Sequence, residues 1–245
     1  MTMPQHPKRT GMTAGELIAL REKDPIYQAY FREMEEKRLA AVAANRKELA
    51  PLLTELAMAG FVVSHPQELV TEFPQKEVIP ILLKWLPKLN RPDTKESVVR
   101  ALSVPWAKPV AIKPLIAEFR NAPDNMPGLK WAIGNALEVL ASDDVFDDIV
   151  ELVSDKRHGR ARQMPTMAMG KMKNPKAVDI LIGLLDDDIV VGQALTGLKK
   201  LKAKQAKPHI EKLINHPRAF IRKEAKLTLK KLNEPDAPTK AREVP

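Results

Sequence analysis

Ser154–Pro165, SDKRHGRARQMP, places four basic residues and a histidine around one glycine. Such a stretch is typical of a loop that binds a nucleic-acid backbone, of a targeting signal, or of a histidine that works as a general acid or base. These interpretations require different surroundings for the same side chains. The choice among them therefore depends on the elements that hold the segment.

The five histidines of the chain match no metal-binding or catalytic spacing such as His-Glu-x-x-His. Four aspartates form two pairs spaced four residues apart, which places each pair on one helix face. Such pairs could bind a hard cation, but acidic residues also stabilise the start of a helix, and Asp186–Asp188 admits the same two interpretations. We predict no catalytic residue, no cofactor and no metal site. The two aspartate pairs spaced four residues apart are Asp143 with Asp147, and Asp144 with Asp148.

The net charge of +9 is carried entirely by residues 189–245, whereas the preceding residues are balanced. On the expected last helix, lysines spaced i, i+3 and i+7 form one exposed stripe. The stripe could be a solvated surface, face an acidic protein, or follow a nucleic-acid backbone, although Phe220 is the one aromatic residue near it for base stacking. The basic surface comprises Lys199, Lys202, Lys223, Lys226 and Lys230.

The composition favours stacked helices. Hydrophobic residues make up 44% of the chain but aromatic residues only 4%, so the interior must be built from Leu, Ile, Val, Ala and Met. The absence of cysteine excludes disulfides, thiolate metal sites and thiol nucleophiles. Because no apolar run reaches the length of a signal peptide core or a membrane span, we expect a soluble, cytoplasmic protein that does not bind membranes.

An internal repeat accounts for most of the chain. Four turns, RPDT, APDN, VSDK and LLDD, place their aspartates at a constant spacing of 31 residues. Each turn lies between two apolar stretches, and a helix–turn–helix unit of this length cannot bury both apolar faces alone. The sequence therefore predicts an all-α fold, an α-solenoid of stacked helix pairs. The turn aspartates are Asp93, Asp124, Asp155 and Asp186.

The last unit, HPRAFIRKEAKLTLKKL, resembles the second-helix pattern of HEAT repeats, especially the short variety of phycocyanobilin-lyase-like HEAT proteins. In that family a turn aspartate and a second-helix arginine or lysine form a hydrogen-bonded ladder between repeats. The resemblance implies the same ladder here, although Val191 replaces the basic residue in the fourth unit. Its members would be the four turn aspartates with Arg100, Lys130, Arg162 and Arg222.

Four segments follow from this organisation. We expect a disordered start over residues 1–13, an N-terminal helical cap over 14–73 interrupted at Pro51, a HEAT-like array of about five units over 74–235, and a flexible tail over 236–245.

The repeat explains much of Ser154–Pro165. Asp155 and Arg162 are ladder positions, and Gly159 is available for a backbone conformation that other residues resist. Four side chains are not needed by the repeat and form either a solvated turn or a partner contact. They are Lys156, Arg157, His158 and Arg160.

Together these features favour a non-enzymatic scaffold that holds a protein partner on the surface of its second helices. The resemblance extends to bacterial HEAT proteins that act as regulators or toxin-neutralising partners. The alternative is a nucleic-acid backbone binder that uses the basic carboxyl-terminal surface. HEAT-like alkylpurine DNA glycosylases, which use aromatic residues and a carboxylate, provide an enzymatic alternative, but we expect the tryptophans mainly in the core. These are Trp85, Trp106 and Trp131.

Overall fold

The computed structural model describes residues 13–70, 76–123 and 126–235. The expectations for the terminus, the tail and Asp124 therefore lie largely or wholly outside the described residues. Within those residues the chain forms α-helices and short 3₁₀ helices and no β-strand. The chain divides into two compact units, Met1–Pro51 and Leu52–Pro245. The boundary between cap and repeat array at residue 73 stays a prediction.

The first unit contains α1 (Ala14–Lys23) and most of α2 (Pro25–Met58). The Asp24 carboxylate accepts a hydrogen bond from the Ile26 amide at 2.9 Å and so satisfies one of the free N–H groups at the start of α2. The expected interruption at Pro51 is wrong, because α2 continues through this residue. A proline inside a helix removes one backbone hydrogen bond and kinks the helix without always ending it.

The second unit is built from helix pairs joined by tight turns. Proline stands in the first turn of several of these helices, where its missing N–H costs no hydrogen bond. The pairs are α3 (Val78–Trp85) with α4 (Pro92–Leu102), α5 (Lys108–Asn121) with α6 (Pro127–Leu140), α7 (Phe146–Ser154) with α8 (Gln163–Met169), α9 (Lys176–Gly183) with α10 (Val191–Lys200), and α11 (Lys207–Glu211) with α12 (Ala219–Asn233).

Each second helix packs on the second helix of the next pair, in the order α4, α6, α8, α10 and α12. Repeat-equivalent side chains form the shared interior, since Leu137, Met169 and Leu198 are fully buried. Each pair therefore buries its apolar faces mainly against its neighbours. The predicted all-α solenoid of stacked helix pairs is confirmed.

Arg162 anchors the junction between the third and fourth pairs. Its side chain is 1% exposed, and its guanidinium donates to the Asp187 carboxylate at 2.8 Å and to the Val153 carbonyl at 3.1 Å. The hydrogen bond from Arg162 holds the pKa of Asp187 below its usual value. The acceptor is thus one residue beyond Asp186, which is exposed at the end of a 3₁₀ turn. Asp187 is turned inward because its other oxygen accepts from the Ile189 amide at 2.9 Å.

Two other arginines expected in the ladder form hydrogen bonds within their own units instead of with a neighbouring turn. Arg100 bonds to Glu96 one turn earlier on α4, and Arg222 donates to the carbonyls of His216 and Pro217 in its own turn. Asp93 lies in the first turn of α4. These arginines therefore stabilise their own units, because Glu96 on α4 and the carbonyls of the bend before α12 accept their hydrogen bonds.

Candidate functional site

The turn between α7 and α8 has a sharp bend at Gly159. This residue has a φ of +51° and a ψ of −127°, a conformation that side chains resist. At the start of the turn the Asp155 carboxylate accepts from the backbone and the guanidinium of Arg157. These hydrogen bonds hold the pKa of Asp155 far below its usual range. The bend thereby fixes the direction in which the basic side chains leave the turn.

His158 points inward, in contrast to the exposed Arg157 and Arg160. Its ring packs edge-on against Phe119, with 4.9 Å between ring centres. Its Nδ1 lies 3.3 Å from the ammonium group of the buried Lys130. Since an ammonium group can only donate, Nδ1 acts as the acceptor in this contact. His158 therefore joins two repeats by packing and contributes one wall of a cavity beside the turn.

A cavity of about 580 Å³ opens between the start of α6 and this turn. Trp131 lies in it with 46% of its surface exposed, and the Arg100 guanidinium stacks on the indole at 5.8 Å from the ring centre. Sequence reasoning placed the tryptophans mainly in the core and missed this one. The sequence did carry a signal. Trp131 directly follows the ladder position of its unit, and the residues at the same place in the third and fifth units are polar, Gln163 and Lys223.

A second cavity, of about 360 Å³, lies beside the first, and Arg160 lines both. Among the described residues the Arg160 guanidinium has no hydrogen-bond or ion-pair partner. The second cavity is bounded by an ion pair of Arg218 with Asp188 at 2.9 Å and by Gln163, whose amide donates to the Ile189 carbonyl at 2.9 Å. We call these two neighbouring cavities together the second-helix groove. Its lining includes Trp131, Arg157, Arg160, Gln163, Ile189 and Arg218.

Exposed apolar side chains continue the groove towards the last helix pair. Ile189 is half-exposed, and Phe220 is 63% exposed with its ring against Gly192, where a Cβ would lie 3.0 Å from the ring. The groove therefore combines a large aromatic surface, a free cation and further apolar contacts along four helix pairs. Partly exposed tryptophan and arginine side chains dominate the binding energy of many protein interfaces.

A third cavity, also of about 580 Å³, lies at the carboxyl ends of α10 and α12. It brings together Lys199, Lys202 and Lys230 from the predicted basic surface, whereas Lys223 and Lys226 are exposed on α12 outside its lining. The sequence analysis missed two further members, Lys200 and Lys231. The signal was present, because the repeat column ends in a double lysine in both GLKKL and TLKKL. We call this cavity the lysine cavity. Its five lysines are Lys199, Lys200, Lys202, Lys230 and Lys231.

The acidic pairs have structural contacts. The Asp143 carboxylate accepts from the backbone amides of Lys173 and Asn174 in the next unit at 2.8 and 3.1 Å, and Asp148 pairs with Arg120 at 2.8 Å. Within the described residues no three histidine, cysteine or acidic side chains are arranged to hold a metal ion. In the same part of the chain no helix has the length and apolar character to cross a bilayer.

No protein-family model matches the chain, and the curated proteins contain no sequence match. Solved structures that are similar in fold include two designed proteins. The designed armadillo repeat protein YIII(Dq)4CqI is 17% identical, with a TM-score of 0.47 over 78% of this chain and 92% of that chain. The designed armadillo repeat protein YIII(Dq.V1)4CPAF, in complex with the peptide (KR)4, is 16% identical, with a TM-score of 0.48 over 90% and 100%. Both are helical-repeat proteins, the fold class that the stacked pairs establish here.

Proposed function

We propose that the protein is a non-enzymatic scaffold that binds a protein partner in the second-helix groove. The observation that carries the proposal is Trp131, a large aromatic side chain half-exposed in a cavity beside the unpartnered Arg160. A half-exposed indole offers a large apolar surface to a partner, and an exposed arginine next to it can form a two-point contact with a carboxylate. The rigid stack of helix pairs holds both in place.

The geometry favours an extended segment as the bound part of the partner. Neighbouring helices pack at roughly 9 Å, so the distance from α6 to α12 corresponds to about 27 Å, or roughly eight residues of extended chain. Such a segment would place an apolar side chain against Trp131 and a carboxylate against Arg160, and its next apolar side chains would reach Ile189 and Phe220. Arg157 belongs to the same rim, although Asp155 already neutralises part of its charge.

The finer assignments are also proposals. The likeness of the last unit to short HEAT repeats of the phycocyanobilin-lyase-like kind supports a regulatory or toxin-neutralising partner, a prediction that a partner identified at the groove would test. The absence of cysteine fits a reducing compartment such as the cytoplasm, and this location stays a prediction as well.

Replacement of the two anchors tests the groove directly. We expect Trp131→Ala and Arg160→Ala each to weaken binding of the partner at least tenfold, because central tryptophan and arginine anchors contribute about 2 kcal/mol or more. Candidate partners are first captured by a photo-crosslinking amino acid at position 157, an exposed position that lines the groove but leaves both anchors in place, and are identified by mass spectrometry. Affinity for the captured protein is then measured by calorimetry.

Lys113→Ala is the matched control, since Lys113 is exposed on the first-helix side at α5. Arg160 is exposed, so Arg160→Ala should keep the thermal stability of the wild type within a degree or two. Trp131→Ala also removes the stack with Arg100, so its thermal unfolding is measured alongside its affinity. Equal affinities for wild type and both groove variants, with the control also unchanged, would exclude the groove as the binding surface.

A further inference from the structure

The lysine cavity holds more positive charge than its acidic neighbours balance. Lys199 lies 3.3 Å from Glu224, and Lys200 lies 3.5 Å from Glu138. Lys231 lies 2.5 Å from Glu234. Within the described residues the exposed ammonium groups of Lys202 and Lys230 form no ion pair within 4 Å, although Glu234 lines the same cavity and interacts electrostatically with Lys230. The exposed Leu227 lies beneath them, where it can pack against the apolar stems of the lysines.

Lys202 has an unfavourable backbone conformation at the rim of this cavity. Its φ is +52°, and it is the one non-glycine residue with positive φ in the described part of the chain. Its amide bonds to the Lys199 carbonyl, and the next amide, of Ala203, bonds to the Leu198 carbonyl, which is the usual closing pattern of a helix. The same pattern closes α2, where the equivalent position is Gly60 with a φ of +92°.

A helix carboxyl end explains part of this arrangement but not all of it. Lysines in the last turn interact favourably with the partial negative charge of the helix end. That interaction does not require a lysine at the left-handed position, where glycine is less strained. Strain kept at an exposed position indicates a use for the side chain, in this case its charge.

The residue types in the cavity indicate the class of ligand. Lysine is a flexible point charge, whereas the planar fork of arginine, which binds carboxylates and bases in two-point contacts, is absent from the lining. No aromatic side chain lines the cavity either, so bases have no stacking surface. Closely spaced point charges without base contacts suit the phosphates of a polymeric anion.

We propose that the lysine cavity binds the phosphate backbone of a nucleic acid without reading its bases. Lys202 and Lys230 make the direct contacts, and Lys223 and Lys226 extend the contact along α12. The whole net charge of +9 lies in residues 189–245, which also carry this cavity, and would steer the polyanion to it. The proposal is independent of the second-helix groove, because the two surfaces share no lining residue.

Fluorescence anisotropy with a labelled DNA duplex, in two unrelated sequences and over a range of salt concentrations, tests the proposal. We expect equal affinity for both sequences and a steep fall of affinity with salt. The double variant Lys202→Gln with Lys230→Gln should weaken binding roughly tenfold near 0.1 M salt and reduce the salt slope by about 2, since each lost phosphate contact removes about 0.9. Lys212→Gln, an exposed lysine of the same last unit outside the cavity, should change neither value.

The variant Lys202→Gly distinguishes the effect of the lysine charge on binding from the effect of the strained backbone on stability. This variant should raise the midpoint of thermal unfolding by about 2–4 °C, because glycine relieves the strained position, and should lower the salt slope by about 0.9. A more stable variant with unchanged DNA binding would overturn the proposal. So would binding of a glutamate-rich peptide of equal charge together with no binding of the duplex.

Discussion

At the scale of single residues, the buried ion pair of Arg162 with Asp187 decides how two repeats meet. A guanidinium that is 1% exposed must have its donors satisfied, and it bonds to two backbone carbonyls and one carboxylate. Such a pair contributes little compared with two well-packed apolar residues, but removal of one partner leaves the other charge buried and alone. The geometry of the junction therefore depends on Asp187, and not Asp186, being the aspartate that faces Arg162.

We expect Asp187→Ala to lower the free energy of unfolding by about 3 kcal/mol, because Arg162 keeps its charge without the carboxylate. Denaturant unfolding followed by circular dichroism measures this loss. The pKa of Asp187 is lowered in the folded protein, so its contribution is complete above pH 4 or so and is lost as the pH falls through the folded pKa. The difference between wild type and variant should accordingly shrink in acid.

The neighbouring aspartate provides the control. Asp186 is exposed, and Asp186→Ala should change the free energy of unfolding by about 0.5 kcal/mol or less. Equal effects of the two substitutions would contradict the assignment of Asp187 as the acceptor.

At the scale of helices, the approach of α8 to α10 depends on two glycines. A Cβ on Gly170 would lie 2.5 Å from the Cα of Gly197, and a Cβ on Gly197 would lie 2.9 Å from a methyl group of Leu181. Real Cβ atoms do not come this close to a backbone atom, so a larger residue would push the helices apart. The two helices approach closely here because both positions are glycine, which has no Cβ.

Gly170→Ala should destabilise the protein by about 2–3 kcal/mol, since the clash is with backbone and cannot be relieved by a rotamer change. Thermal unfolding measures the effect. Gly183→Ala is the control: it lies at the end of α9 with helical φ and open space around its Cβ, and it should be neutral or slightly stabilising. Destabilisation by both substitutions would show that helix propensity, rather than close packing, is responsible.

At the scale of the whole molecule, the two compact units differ in how they are built. The second unit contains five interlocked helix pairs with a continuous apolar interior. The described part of the first unit consists of α1 and α2, along which Ile26, Phe31 and Leu39 are exposed. Helices in isolation are marginally stable in water, whereas neighbouring repeats stabilise one another.

A fragment of residues 52–245 should therefore fold with a single cooperative thermal transition, measured by circular dichroism. The matching fragment of residues 1–51 should show weak helicity that decreases gradually with temperature. A fragment 52–245 without a cooperative transition would mean that the repeat array needs the first unit in order to fold.

The sequence by itself determined the fold class of the repeats. Apolar residues at helical spacing, prolines at helix starts and the 31-residue period are local features, and helix formation and the need to stack follow from them. The bend at Gly159 was also predictable, since few residues adopt positive φ.

Only the tertiary structure decided which side chains meet. The rotation of each helix about its axis placed Trp131, for which the repeat column had given a signal, beside Arg100. The inward turn of Asp187, rather than Asp186, gave Arg162 its partner. The ends of two consecutive second helices brought Lys200 and Lys231 into one cavity. These outcomes depend on distances between repeats, which change with small differences in turn geometry, whereas the spacing of residues along one helix does not.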